Sequence, residues 1–270
     1  MSDQDPYGRF GFHKPPFTRE LRPDELFRIP MYDAIVEELY CTVEHRMSAA
    51  VVAPAGTGKT TVLRRLIDRL PQTRYRVRYV KVTGLSKRDF CREIAMACAL
   101  TPRGSYPGLM RQIQEHFETV ANADGIRPVL VIDEAHELKP DVLSMLRLIT
   151  NFDMDSRLLL ALVIAGQPPL KTLLGREDQC AIRHRLAHMD SLRLLSRDEL
   201  AQYVRHRCAI AGAQNVPFDS GAIDALFELS RGNLRATDRL ALKSIQAAGK
   251  AGESVVNNAH IVAARQYLWM

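Results

Sequence analysis

The segment VVAPAGTGKTTVLRRL, residues 51–66, constrains the fold of this chain more than any other stretch. Its apolar start is typical of a buried strand, glycine and proline then interrupt regular structure, and the last residues have helical spacing. The segment also fits G-x-x-x-x-G-K-[ST], the pattern of a phosphate-binding loop, except that Ala53 stands at the first glycine position. A strand–loop–helix unit of this kind predicts a sheet covered by helices.

Each residue type in this loop has a role in holding a nucleotide. Backbone N–H groups and the start of the following helix surround the phosphates, and Gly56 and Gly58 permit that close approach. Lys59 neutralises phosphate charge, while the Thr60 hydroxyl ligates Mg²⁺. Ala53 costs little, because the first position only begins the turn and alanine adopts any backbone conformation with negative φ. The loop residues predicted to bind ATP or GTP are Pro54, Ala55, Gly56, Thr57, Gly58, Lys59, Thr60 and Thr61.

A second motif, VLVIDEAH at residues 129–136, ends an apolar run on two carboxylates. At the end of a buried strand, Asp133 would hold Mg²⁺ together with Thr60, and Glu134 would polarise the attacking water. Acidic residues alone are weak evidence, since any strand can end on them. Together with Lys59 in the loop, they predict nucleotide hydrolysis.

Apolar runs alternate with helical stretches through most of the chain, which predicts an α/β fold with a mostly parallel sheet between layers of helices. Helical segments alone follow residue 195, beginning with the capping-box spacing of Ser196 and Glu199. The predicted parts are an extended segment and helix packed on the core (1–47), pinned by several phenylalanines, an α/β core (48–195) and a small helical lid (196–270). The strand candidates are residues 49–52, 75–82, 129–133, 158–165 and 191–194.

Charge is the most informative part of the composition. The chain has a net charge of +6, and residues 64–92 contain ten Lys or Arg against two Asp. Such a run fits a polyanion partner or a solvated basic face, and both interpretations stay open.

The five cysteines include no C-x-x-C pair, which favours reduced thiols. No apolar run reaches the roughly 20 residues of a membrane helix, so no membrane partner and a cytoplasmic location are expected.

The two motifs resemble the AAA+ proteins, in the additional-strand division of phosphate-loop ATPases. Asp133 lies well after Lys59 with the strand candidate 75–82 between them, which we interpret as a strand inserted between the motif strands. The resemblance implies further site residues. Gln167, at the end of a strand, would sense the γ-phosphate, or simply begin a turn. Arg183 or Arg185 would be an arginine finger or a surface residue, and Arg235 would contact the nucleotide from the lid.

The order of YGRFGFHKPPF, the phosphate loop, VIDEAH, IAGQPPL and GNLR is similar to the ExeA-like group of AAA+ ATPases. That group contains secretion-associated ATPases and transposition regulators similar to TnsC, TniB and MuB. Because the secretion members carry a membrane segment and an extension after the ATPase, a transposition helper is expected here. Its implied partners are double-stranded DNA, a transposase, a target-selector protein and further copies of the chain in a ring or filament. A protein-binding scaffold and a replication-initiation or clamp-loader relative remain alternatives.

The same resemblance implies which loops face DNA. In TnsC-like proteins the loop after the second strand faces the duplex, which implicates Thr83, Lys87 and Arg88. Arg103 and Ser105 in TPRGSYPGL are further candidates. Lys and Arg supply sequence-independent affinity for DNA through phosphate contacts. Each of these residues could equally be a solvated loop residue.

Overall fold

The computed structural model describes residues 7–123 and 125–267. By its contacts the chain divides into two compact units. The α/β unit comprises Pro30–Ala55 and Lys59–Leu192, and the helical unit comprises the described residues of Met1–Ile29, Gly56–Gly58 and Arg193–Met270. The described residues before Pro30 therefore group with the C-terminal helices, whereas the sequence suggested one N-terminal segment, 1–47, packed on the core.

A five-stranded parallel sheet forms the centre of the α/β unit, in the order β2-β3-β4-β1-β5. Its continuous apolar runs are explained by burial, since every residue of β1 and β4 is buried, as expected for strands covered on both faces. The strands are β1 (Ser48–Val52), β2 (Tyr75–Lys81), β3 (Arg127–Asp133), β4 (Ala161–Gly166) and β5 (Leu186–Ser191).

Seven α-helices belong to the described part of this unit. Helix α2 begins at Lys59, directly after the phosphate loop, and its buried residues Val62, Leu63 and Leu66 recur at helical spacing. The helices are α1 (Pro30–Glu44), α2 (Lys59–Arg69), α3 (Lys87–Ala97), α4 (Tyr106–Asn122), α5 (Pro140–Ile149), α6 (Pro169–Leu174) and α7 (Cys180–Arg183).

Three details of the sheet differ from the sequence-based prediction. The last strand covers Leu186–Ser191, so the prediction of 191–194 was wrong. It is an edge strand with no buried residue, and it therefore lacks the apolar run that reveals a covered strand. The strand predicted at 158–165 begins only at Ala161, and Leu158 is exposed. The strand inserted between β1 and β3 is β4, whereas β2 lies at the sheet edge.

The helical unit contains α8 (Arg197–Ile210), α9 (Ser220–Ser230), α10 (Leu234–Lys250) and α11 (Asn258–Ala264). The predicted capping box is confirmed, because Ser196 Oγ accepts from Glu199 N–H and the Glu199 carboxylate accepts from Ser196 N–H. Four phenylalanine rings of the described N-terminal residues are buried. Those rings are Phe10, Phe12, Phe17 and Phe27.

Candidate functional site

The phosphate loop connects β1 to α2, and its glycines have the backbone conformations that only glycine adopts easily. Gly56 has φ +78° and Gly58 has φ +96°. Ala53 has no positive φ, is fully buried, and donates its N–H to the Gly166 carbonyl at 2.9 Å, in line with β1. Alanine therefore fits the first loop position, as expected. Of the other predicted loop residues, Thr57 is buried, Pro54 and Thr61 are half-buried, and Ala55 and Thr60 are exposed.

Lys59 forms ion pairs with both carboxylates of the second motif. Its Nζ lies 2.6 Å from Asp133 Oδ1 and 2.6 Å from Glu134 Oε1. The Lys59 side chain is 7% exposed and the Asp133 side chain 4%, so water screens this pair weakly. The structure thus brings together the lysine of the first motif and both carboxylates of the second.

Glu134 follows the end of β3 in a left-handed conformation, with φ +59°. A non-glycine residue pays about 1–3 kcal/mol for such a backbone, and strain of this kind concentrates at functional sites. Burial favours protonation of Glu134, but the hydrogen bond and charge of Lys59, aided by Gln167, outweigh it and hold the pKa of this carboxyl below its usual value. Glu134 is therefore ionised at neutral pH.

Gln167 lies where β4 ends, beside Glu134. Its Nε2 donates to Glu134 Oε2 at 3.4 Å, and its backbone N–H donates to His136 Nδ1 at 3.3 Å. The His136 ring lies between two carboxylates, with Nδ1 3.5 Å from Glu134 Oε2 and Nε2 3.2 Å from Glu137 Oε1. The predicted sensor thus contacts the predicted catalytic carboxylate.

Tyr79 is a site residue that sequence reasoning missed. Its hydroxyl donates to Asp133 Oδ2 at 2.9 Å from the edge strand β2. Burial, followed by the adjacent Asp133 carboxylate, raises the pKa of Tyr79 above its usual value, so the phenol stays protonated. The sequence did not distinguish Tyr79 from Tyr75, which lies on the same strand and is a buried core residue.

The two arginine-finger candidates have different partners within the α/β unit. Arg185 Nη2 lies 2.6 Å from Asp155 Oδ2, and its side chain is 15% exposed. Arg183 is exposed and donates only to carbonyl oxygens, at 3.3 Å to Gly175 and 3.5 Å to Leu174. Arg183 therefore has the less tightly held guanidinium of the two.

Arg235 lies in the first turn of α10, within the helical unit that also includes Gly56–Gly58. The Gly56 carbonyl accepts from Leu234 N–H at 2.9 Å and from Arg235 N–H at 3.4 Å. Asn233 Oδ1 caps this helix by accepting from Ala236 N–H at 3.1 Å. The structure thus brings the backbone of the predicted lid arginine next to Gly56 of the phosphate loop, with Arg235 itself exposed.

The five candidate DNA contacts lie in two surface segments of the α/β unit. Thr83, Arg88, Arg103 and Ser105 are exposed and Lys87 is half-buried. Arg88 Nη2 donates to the Gly104 carbonyl at 3.3 Å, so the two segments adjoin. Lys87 Nζ lies 3.4 Å from Asp141 Oδ2.

The side chains at the loop suit a hard cation. Thr60 and Asp133 offer oxygen donors only, which matches the preference of Mg²⁺ for carboxylate, hydroxyl and phosphate oxygens. Within residues 7–123 and 125–267, no group of three or more His, Cys, Asp or Glu could hold a metal ion. A nucleotide-dependent magnesium site needs no such group, because phosphate oxygens and water supply the ligands that the protein does not.

The remaining expectations concern thiols and membrane helices. All five cysteines are free. Among the described helices, none has the length and apolar character required to span a bilayer.

A known protein family matches part of the chain. Residues 42–174 match the model of the AAA domain, and the strand order and flanking helices agree with it. The chain has the AAA+ fold. It is also 32% identical over 248 residues to the general secretion pathway protein A of Aeromonas hydrophila. That alignment covers 90% of this chain but only 45% of the relative, so the chain spans less than half the relative's length.

Solved AAA+ structures resemble the chain in fold. Cdc6p from Pyrobaculum aerophilum has a TM-score of 0.74 at 20% identity, covering 93% of this chain and 70% of that one. The Aeropyrum pernix ORC1 protein, solved in complex with DNA, has a TM-score of 0.68 at 18% identity, covering 89% and 66%. The RuvB branch migration motor of Thermotoga maritima has a TM-score of 0.61 at 18% identity, covering 93% and 73%.

Proposed function

We propose that this AAA+ protein is a magnesium-dependent ATPase whose nucleotide state controls its assembly on double-stranded DNA, as a regulator of transposition. The observation that carries the ATPase part is the pair of 2.6 Å contacts from Lys59 to Asp133 and Glu134. A lysine shared by two carboxylates at the end of a phosphate loop can exchange these carboxylates for a triphosphate, because a triphosphate is a stronger anionic partner.

The reaction follows from this exchange. An incoming triphosphate takes Lys59, while the loop N–H groups and the start of α2 surround its oxygens. Thr60 and Asp133 would hold Mg²⁺, which supplies Lewis-acid stabilisation of the phosphate charge. Once Lys59 has moved to the phosphate, the ionised Glu134 accepts a hydrogen bond from the attacking water. Gln167 and His136, which both contact Glu134 Oε2, orient the carboxylate.

The DNA part rests on the adjoining surface segments around Arg88 and Gly104. Exposed Arg and Lys side chains there would meet phosphates without reading base sequence. Lys87 is partly neutralised by Asp141, so Arg88 and Arg103 carry most of the available positive charge. The net charge of +6 favours the same kind of partner.

Assembly would depend on an arginine from one copy that completes the nucleotide site of the next copy. We assign this role to Arg183 before Arg185, because Asp155 already neutralises Arg185. Loss of the γ-phosphate would remove that contact and loosen a ring or filament. Before hydrolysis, the ATP-bound assembly would recruit the transposase and a target selector, and the loosened form would not.

A second candidate function is an ATP-dependent scaffold for a secretion assembly that binds a protein partner. The similarity to the Aeromonas hydrophila general secretion pathway protein A favours it. The two candidates predict different responses to DNA, because only the transposition regulator uses the surface around Arg88 for phosphate contacts.

Light scattering of the purified chain with a non-hydrolysable ATP analogue, with and without duplex DNA, tests the proposal. We expect large assemblies only when analogue and DNA are both present. Arg183→Ala should prevent assembly and leave nucleotide binding unchanged, while Arg176→Ala, which removes a nearby arginine paired with Asp178, serves as the matched control. Assembly that ignores DNA would favour the secretion scaffold, and a monomer under every condition would refute the assembly proposal.

A further inference from the structure

Tyr79 reaches the carboxylate of Asp133 along one face of the sheet. Lys81 of β2 stands opposite Asp133 of β3 in the parallel register. Tyr79 lies two residues before Lys81, and strand side chains alternate with a period of two, so Tyr79 projects from the same face as Asp133. The phenol hydroxyl covers the remaining distance and donates to Oδ2 at 2.9 Å.

The two oxygens of Asp133 have different partners. Oδ1 accepts from Lys59 Nζ at 2.6 Å and from the Glu134 N–H at 2.8 Å. Oδ2 accepts from Tyr79. When a phosphate takes Lys59, Oδ1 loses its charged donor while Oδ2 keeps its neutral one. The exchange therefore frees the acceptor position that Lys59 occupied on Oδ1, while Tyr79 still holds Oδ2 and the Glu134 N–H still holds Oδ1.

We infer that Tyr79 is a positioning residue: by donating to Asp133 Oδ2, it fixes the orientation in which the Asp133 carboxylate would bind magnesium. This inference rests on the proposed ATPase function and names a further residue of that site. Donors that orient a metal ligand typically contribute 10–100-fold to metal affinity or activity.

The backbone supports the same arrangement. Val82, which directly follows β2, donates its N–H to the Asp133 carbonyl at 2.9 Å. Strand β2 thus holds Asp133 by its main chain through Val82 and by its side chain through Tyr79. Tyr79 is otherwise 43% exposed, so the ring adds little to the core and its polar atom makes the specific contact.

Tyr79→Phe removes this one hydroxyl and keeps the ring. The affinity of a fluorescent ATP analogue is measured by anisotropy over a Mg²⁺ titration and again in EDTA, beside thermal melting of the free protein. We expect the Mg²⁺ concentration at half-maximal enhancement of binding to rise about 10-fold or more. Affinity in EDTA should stay within about twofold, because Lys59 and the loop are untouched.

Tyr106→Phe is the matched control, since Tyr106 begins α4 and lines a separate pocket of about 230 Å³ with Lys87 and Asp141. It should leave both measurements unchanged. An unchanged Mg²⁺ midpoint in Tyr79→Phe would overturn the inference, as would an equal loss of affinity with and without Mg²⁺, which indicates a merely structural role. A wild-type protein that binds no nucleotide would instead overturn the proposed ATPase function itself.

Discussion

Gly56→Ala tests whether the phosphate loop has its left-handed turn and its contact with the start of α10. Gly56 has φ +78°, and a Cβ placed there would lie 2.4 Å from Asn233 Oδ1 and 3.0 Å from Arg235 Cβ. Alanine therefore meets two penalties at this position, one from backbone conformation and one from crowding.

The magnitude of each penalty can be worked out separately. A left-handed conformation costs a residue with a Cβ about 1–2 kcal/mol. Moving the Asn233 side chain away from the new methyl group breaks the cap of α10, which costs about 1 kcal/mol. The sum of about 2–3 kcal/mol corresponds to a fall in melting temperature of roughly 4–12 °C in a chain of this size.

Two other glycines separate these terms in a thermal-unfolding assay. Gly104 has φ +87°, and a Cβ added there would meet nothing within 4 Å, so Gly104→Ala carries only the conformational cost of about 1–2 kcal/mol. Gly84 has neither feature, and Gly84→Ala should change stability by less than about 0.5 kcal/mol. Equal melting temperatures for the Gly56 and Gly84 variants would refute the loop geometry.

Three further predictions concern single charged side chains. Arg193 holds the pKa of Glu199 at about 2, against the opposing effect of burial. The stabilisation that ionised Glu199 gives to the folded protein is therefore complete above pH 4.5 and is lost as pH falls toward 2. Glu199→Gln, which keeps an acceptor for the capping box, should flatten that acid dependence of the melting temperature; an unchanged profile would contradict the assignment. Glu134→Gln should lower ATP turnover at least about 100-fold while ATP still binds, and normal turnover would exclude Glu134 as the residue that activates water. Arg88→Ala should reduce the salt dependence of DNA affinity by about one phosphate contact, and an unchanged slope would remove Arg88 from the DNA surface.

Much of the α/β unit could be predicted because burial leaves a strong pattern in the sequence. The strands β1, β3 and β4 are covered on both faces, so their runs of Val, Ile, Leu and Ala are continuous. Edge strand β5 has no buried residue, and alternation of residues such as His188 and Asp190 gave no comparable signal. Sheet order was the other error, since the place of β4 between β1 and β3 depends on long-range pairing that residue spacing does not encode.

The candidate site shows the same limit. The approach of Lys59 to Asp133 and Glu134 was predictable, because both motifs follow the carboxyl ends of parallel strands, which lie on the same side of the sheet. The contact of Tyr79 with Asp133 was not, because it requires knowledge that β2 pairs with β3 in one register. The ion pair of Arg185 with Asp155 likewise joins two segments that no motif connects.

Duplex-DNA binding with ATP, with ADP and without nucleotide tests the central claim most directly, for wild type, Lys59→Ala and Glu134→Gln. If the lysine shared by two carboxylates is a nucleotide switch, wild type binds DNA tightly only with ATP. Lys59→Ala then loses the ATP-dependent binding, and Glu134→Gln retains it in a longer-lived complex. Equal binding by all three proteins in all three conditions would contradict the account.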